Sequence, residues 1–262
     1  MNIRDLTITS LETITAFDIT SGAYKFTLDE LQNATVAQAQ ETTDITGKAG
    51  RKLATLKRNK SVTISGSNGL VSAGLLEMQT GSNFKNEATE VMWSDYLTVT
   101  ENKAVTKYKA IGVAGGEIIA LYIQKDDGTV DSTLEQAAAT GAGKFAYNPT
   151  SKELTFTDIA DNTSIVVKYK RKVQADVLKD ESDTYSSKCT LYIDALAEDK
   201  CANTYRVQFY IPKADFSGEF SFEMGDNQTV HSFEASALAG ACGTKGEFFS
   251  YIVFGEKAED VA

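Results

Sequence analysis

Apolar and polar residues alternate with a period of two along most of the chain, and this pattern restricts the fold to one built mainly of strands. Between residues 216 and 224, apolar side chains at 216, 220, 222 and 224 alternate with serine and glutamate. Such alternation predicts a half-buried strand. Residues 205–211 alternate in the same way, and Pro212-Lys213-Ala214-Asp215 separates the two runs. We therefore predict an antiparallel hairpin with its connection at Pro212.

Further strand-like runs have the β-branched and aromatic residues that favour extended backbone. They occupy residues 34–43, 62–65, 91–100, 165–173 and 189–195. Two other runs, 118–123 and 248–254, are apolar on both faces, which predicts cover on both sides, either within the monomer or in an assembly.

One segment has helical spacing, with Leu70, Leu75 and Met78 on one face. Ser67-Asn68 are candidates for its N-cap, and Gly81 follows its end. The sequence thus predicts an all-β fold with one short α-helix. We place residues 1–262 in one domain, with an inserted β-rich unit at about residues 103–175 that contains an Asp127-Gly128 turn.

The net charge is −10 and the sequence pI is about 4.8, so the surface as a whole repels nucleic acid and anionic lipid. No apolar run approaches the roughly 20 residues that a membrane helix needs, and no signal peptide opens the chain. We expect a protein that is made in the cytoplasm of the cell that produces it, stays soluble there and has no membrane partner.

No motif for catalysis or metal binding is present. The single histidine, His231, excludes multi-histidine metal sites, and we interpret it as a strand residue without a catalytic role. Phosphate-loop, Gly-x-Ser-x-Gly and dinucleotide motifs are absent, and Asp126-Asp127-Gly128 lacks the spacing of a calcium loop. We therefore predict no enzyme activity, no metal and no cofactor. Cys189, Cys201 and Cys242 have no zinc spacing and are interpreted as core thiols.

A basic segment at residues 47–60 interrupts the acidic composition and contains no acidic residue. Its basic residues are Lys48, Arg51, Lys52, Lys57, Arg58 and Lys60. Because the segment lies between two strand-like runs, we predict a long loop. Three roles remain open: a solvated loop, a basic arm that docks on the acidic surface of an identical neighbour, or direct nucleic-acid binding. The third is weakened by the lack of interleaved aromatic residues.

Several of these segments together resemble the tailed-bacteriophage major tail (tail tube) protein family. The resemblance rests on the basic segment with Ser61-Val62-Thr63-Ile64-Ser65-Gly66, the helix at 70–78, and the closing run from Phe209-Tyr210-Ile211-Pro212 through residues 232–238. The inserted unit, with Leu121-Tyr122-Ile123 and Val166-Val167-Lys168-Tyr169, is similar to a β module common in virion proteins.

The resemblance implies a β-sandwich or half-barrel subunit whose sheet joins its neighbours in hexameric rings that stack into a virion tail tube. The partners it implies are further copies of the chain, other tail proteins, and DNA that passes through the lumen without specific binding. Lys48, Arg51, Lys57 and Arg58 would then contact the adjacent ring. Two alternatives stay open: another virion protein, such as a capsid decoration or sheath-associated protein, or a surface carbohydrate or adhesion module.

Overall fold

The computed structural model describes residues 5–223, 230–239 and 246–255. The chain divides into two compact units, of which unit 2 is Lys85–Val177 and unit 1 comprises the segments before and after it. The all-β prediction is confirmed, and the sheets include a curled half-barrel. In the described residues, the only α-helix is α1 (Ala73–Thr80).

Unit 1 contains one antiparallel sheet of nine strands within the described part of the chain. They are β1 (Leu6–Asp18), β2 (Tyr24–Leu28), β3 (Leu31–Thr46), β4 (Lys52–Asn68), β12 (Lys188–Asp199), β13 (Thr204–Phe216), β14 (Phe222–Glu223), β15 (Val230–Ala237) and β16 (Ser250–Gly255). The order across the sheet is β2-β1-β12-β13-β15-β4-β3, while β14 pairs with β15 and β16 pairs with β13.

Unit 2 contains a seven-stranded sheet with its own apolar core. Its strands are β5 (Lys85–Thr98), β6 (Lys103–Val105), β7 (Ile118–Gln124), β8 (Val130–Gln136), β9 (Lys144–Asn148), β10 (Glu153–Thr155) and β11 (Ser164–Val177), in the order β5-β11-β7-β8-β9-β10-β6. Leu121, Phe145 and Leu154 are buried at its centre. The predicted turn joins β7 to β8, where Gly128 has a φ of 82° and the Asp127 carboxylate accepts from the Thr129 amide.

Alternating burial explains why the strand predictions succeed. On β12, Cys189, Leu191 and Ile193 face the core, while Tyr192 and Asp194 face the other side of the sheet. Removing apolar surface from water in this way contributes about 25 cal/mol per Å². The predicted runs 34–43, 62–65, 165–173 and 189–195 lie wholly within strands, and 91–100 lies in β5 as far as Thr98.

The helix and its C-terminal end are confirmed, but its predicted start is wrong. Ser67 and Asn68 belong to β4 and pair with β15, so they are not caps. Ser72 is the N-cap instead, and its side chain accepts a hydrogen bond from the Leu75 amide at 3.3 Å. Gly81 ends the helix with a φ of 73°, a conformation that glycine adopts without steric cost.

The predicted hairpin around Pro212 is also wrong. Strand β13 continues through Pro212 as far as Phe216, because the ladder with β12 contains a bulge there: Leu191 pairs with Ile211, whereas Cys189 pairs with Ala214. A bulge tolerates proline because the missing amide is not needed in the ladder. Residues 217–221 are not in a strand, and Met224 lies outside the described residues.

Two further predictions hold only in part: that the cysteines are core thiols, and that the runs 118–123 and 248–254 are covered on both faces. Cys189 is buried as predicted, Cys201 is exposed, and Cys242 lies outside the described residues. In β7, Leu121 is buried but Ile119, at a bulge in the ladder with β11, is half exposed, so the described residues do not cover this run completely on both sides. In the 248–254 run, the strand begins only at Ser250.

Candidate assembly surfaces

The basic segment is a projecting hairpin, which corrects the prediction of a loop. Lys52, Lys57, Arg58 and Lys60 all lie in β4, and only residues 47–51 form the connection to β3, as a single 3₁₀ turn. A position between two strand-like runs does not distinguish a loop from a continuation of the two strands, and exposed strand positions accept lysine and arginine, so the loop prediction failed. We call residues 37–61 the arm.

The arm is exposed on both faces and pairs only with itself. Apart from partly covered Gly47, every residue from 37 to 61 is exposed. From Lys52 to Ser61, β4 pairs only with β3 among the described strands. From Val62 to Asn68, it also pairs with β15. At about 3.3 Å per residue, the arm extends roughly 30 Å beyond the covered part of the hairpin.

A bulge at the base of the arm changes which residues share a face. Ala39 pairs with Ser61 and Glu41 with Arg58, so Asn59 and Lys60 together oppose Gln40. Asn59 has a φ of 51°, and its side-chain amide donates to the Glu41 carboxylate at 2.6 Å. Side chains alternate along a strand. The extra residue therefore places the β4 side chains between the bulge and the tip on the opposite face from the one they would have in a regular ladder.

The arm does not gather its six basic residues into one patch. By register, Lys57 lies beside Thr42 on one face, while Arg58 lies on the other and donates to the Thr43 hydroxyl at 2.8 Å. Lys52 forms an ion pair with Asp44 at 2.7 Å. The Lys60 ammonium lies 5.6 Å from the ring centre of Phe248, in cation–π range.

Lys48 and Arg51 lie together at the tip of the arm. Neither they nor Lys57 form a salt bridge or a side-chain hydrogen bond with any other described residue. The tip therefore presents two exposed cations that nothing in the described part of the chain neutralises. We call Lys48 and Arg51 the tip cations.

Exposed apolar residues on the arm were missed by the sequence analysis. Leu53 is 67% exposed and Leu56 51% exposed, and Ile45 pairs with Ala54 on the same face as Leu56. The signal was present in the sequence, because leucine at 53 and 56 interrupts a run that is otherwise basic or polar. Apolar side chains in such a position favour contact with another surface.

Strand β16 is a second candidate surface. It pairs with residues 205–210 of β13, and no described strand covers its other edge. Tyr251, Ile252 and Phe254 are all more than one third exposed, with Tyr251 on one face of the strand and the other two on the opposite face. An apolar strand edge of this kind is a template for pairing with another chain.

The third surface is an open depression of about 540 Å³ on the side of the sheet opposite the core. Residues on β1, β12 and β13 line it, and they include Phe17, Asp18, Tyr192, Asp194, Gln208 and Tyr210. The sheet places them together by register, with Thr15, Tyr192 and Tyr210 in one row. We call this depression the tyrosine pocket.

The pocket combines aromatic rings with two carboxylates. The Tyr192 ring centre lies 5.6 Å from that of Phe17 and 5.0 Å from that of Tyr210. The backbone amide and the hydroxyl of Ser21, and then the Thr20 amide, donate hydrogen bonds to the Asp18 carboxylate, and they lower its pKa to about 2. The Gln208 side-chain amide donates to Asp194 at 2.8 Å. The pocket is thus acidic and aromatic.

His231 is a buried structural residue and does not belong to an exposed surface. It is fully buried in β15, as a strand residue, and lies against α1. The Ser72 amide donates to its Nδ1 at 3.3 Å, so the proton sits on Nε2, which donates to the Gln79 side chain at 2.8 Å. Burial lowers the pKa of His231, which keeps the ring neutral.

Within the described residues, no helix is long and apolar enough to cross a membrane, and no cluster of three or more His, Cys, Asp or Glu residues has the geometry to hold a metal ion.

A family model described as the YomU/Tube protein family matches residues 6–251, which is nearly the whole chain. Together with the all-β fold and its curled half-barrel, this match makes the chain a phage-tail, tube-type structural protein of the virion. The chain belongs to this family, and the resemblance to tail tube proteins is confirmed. No curated protein matches the sequence significantly.

Proposed function

We propose that the chain is a tail-tube subunit that assembles into rings, which stack into a tube for the passage of DNA. Its role is structural rather than catalytic. The partners are further copies of the chain, six to a ring as the resemblance implies, together with other tail proteins. DNA moves through the lumen without specific binding, and the net charge of −10 supports this because an acidic wall repels phosphate.

The arm is the observation that carries this proposal. An isolated two-stranded ribbon is marginally stable at best in water, yet residues 37–61 pair with no described strand outside the ribbon and expose Leu53 and Leu56. Docking against another copy would cover these residues and hold the ribbon in place. The uncovered edge of β16 supports the same conclusion, since pairing around a closed ring removes exposed edges.

The test is electron microscopy and sedimentation of two chains, the wild type and a variant without most of the arm. Glu41 and Arg58 face each other in the ladder, so residues 42–57 can be replaced by Asn-Gly, a pair that forms a two-residue hairpin turn. We expect the wild type to form hollow rings and tubes. The shortened variant should stay folded, with a similar melting temperature, and should form no tubes.

A wild-type protein that remains monomeric, or forms only compact trimers without a central hole, would contradict the proposal and favour a decoration protein. Tubes of normal length from the shortened variant would show that the arm has no part in assembly.

A further inference from the structure

The tyrosine pocket has the chemistry of a site for a cation. Ring faces attract cations through their quadrupoles, and Phe17, Tyr192 and Tyr210 present three rings around one open depression. Two carboxylates complete the lining, so the pocket offers both cation–π and ionic contacts.

The two carboxylates are not equivalent. Asp18 has an ionic partner, since the Lys25 ammonium lies 3.6 Å away. Asp194 accepts hydrogen bonds from Gln208 and Thr13 but forms no salt bridge with any described residue. It is therefore the pocket carboxylate that lacks an ionic partner among the described residues and can pair with a cation from outside the pocket.

We propose that the tyrosine pocket of one copy binds the tip cations, Lys48 and Arg51, of the arm of another copy. The inference rests on the proposed function and adds to it the acceptor site of the arm. Charge complementarity supports this occupant: the tip cations have no ionic partner in the described chain, and Asp194 has none either. A guanidinium group is planar, so it can lie on a tyrosine ring while it bonds to a carboxylate.

The arrangement predicts open-ended growth. The tip and the pocket are different surfaces of the same chain, so each copy can offer one arm and receive another. Such a contact is heterologous, and a heterologous contact either closes into a ring or continues without limit. Repeated between rings, it would give a stack rather than a closed dimer.

The experiment is a double-mutant cycle on assembly of the full chain. The tip variant is Lys48→Gln with Arg51→Gln, and the pocket variant is Asp194→Asn, which removes the charge but keeps an oxygen for Gln208. The matched controls are Lys57→Gln, which removes an arm charge away from the tip, and Asp176→Asn, which removes an exposed carboxylate from β11. Melting temperatures check that every variant is folded. The measurement is the critical concentration for assembly, obtained by sedimentation.

We expect the tip variant and the pocket variant each to raise the critical concentration about tenfold, because either one removes the ionic contact between the tip cations and Asp194. Their combination should be no worse than the tip variant alone, which is the mark of a direct contact. The effects of Lys57→Gln and Asp194→Asn should multiply, and Asp176→Asn alone should have little effect.

The docking site is overturned if the wild type assembles but Asp194→Asn has no effect, or if the tip and pocket effects multiply. Thermal stabilisation by a neutral oligosaccharide that Asp194→Asn abolishes, together with an unaffected critical concentration, would assign the pocket to a sugar instead. A wild type that stays monomeric overturns the proposed function as well as the docking site. A wild type that assembles while Asp194→Asn has no effect overturns only the docking site, so the two failures can be distinguished.

Discussion

At the scale of single residues, His231 couples stability to pH. Burial lowers its pKa in the folded chain below the ordinary value of 6.5, so the unfolded chain binds the proton more readily. Stability should therefore be full above about pH 6.5 and should fall as the pH decreases toward 5. Asp18 acts in a different window, because its pKa of about 2 in the folded chain matters only below about pH 4.

We predict that urea unfolding of the wild type shows a loss of stability between pH 7.5 and pH 5, and that His231→Gln reduces this loss. The variant should also be less stable at pH 7.5, by roughly 1–3 kcal/mol, because Gln79 and the Ser72 amide lose well-placed partners. Equal pH dependence in the two proteins would show that the histidine is not responsible.

Gly81 supplies a second prediction at this scale. Its φ is 73°, and an added Cβ would lie 2.0 Å from the Tyr185 carbonyl oxygen, which is backbone and cannot move aside cheaply. Gly81→Ala should cost about 2–5 kcal/mol, the sum of a left-handed alanine and an overpacked contact.

The matched control for this substitution is Gly22→Ala in the same unit. Gly22 has a similar φ of 68° but open space around it, so the cost should be about 1–2 kcal/mol. Equal losses of unfolding free energy for the two variants would mean that backbone conformation alone explains the requirement at Gly81.

At the scale of elements, the sequence predicted strands reliably where one face is buried and poorly where both faces are exposed or the ladder is irregular. Residues 189–195 alternate because β12 covers the core. In residues 47–60 of the arm, no burial enforces alternation, and the position between two strand-like runs led to the prediction of a loop. The bulge at Pro212 was missed because a proline between two alternating runs usually marks a turn.

The candidate site was predictable only in part. The basic residues are adjacent in sequence, and charge alone indicated them. The tyrosine pocket joins Phe17 on β1 to Asp194 on β12, so it exists only through the pairing of distant strands. No pattern within either segment indicates that pairing.

Leu56 on the arm gives a prediction at this scale. Leu56→Ser should leave the melting temperature nearly unchanged, because an exposed substitution usually alters stability by less than about 0.5 kcal/mol. It should shorten the tubes, since the leucine would be covered on assembly. Val130→Ser in β8, at a side chain of almost the same exposure, is the control and should leave tube length unaltered. A lower melting temperature for Leu56→Ser alone would mean that the leucine stabilises the arm itself.

At the scale of the whole molecule, the chain has two cores in two units. Trp93, the only tryptophan, packs against the core of unit 2, so tryptophan fluorescence reports on that unit alone. We predict that the isolated segment 85–177 unfolds cooperatively in urea and that its folded form has the same tryptophan emission as the full chain. A red-shifted emission without a transition would show that unit 2 does not fold by itself.

Strands β5 and β11 pair from Lys85 opposite Val177 to Thr98 opposite Ser164 with no bulge. The first and last residues of unit 2 are therefore neighbours on one rung of the ladder, about 5 Å apart at their Cα atoms. For the gene, this means that the coding segment for residues 85–177 behaves as a cassette. Lengthening a loop inside it leaves the spacing of its two junctions unchanged, because the β5–β11 ladder is retained. The Lys85–Val177 pair is therefore a suitable site for inserting a foreign domain whose N- and C-termini are adjacent, such as a reporter or an affinity domain.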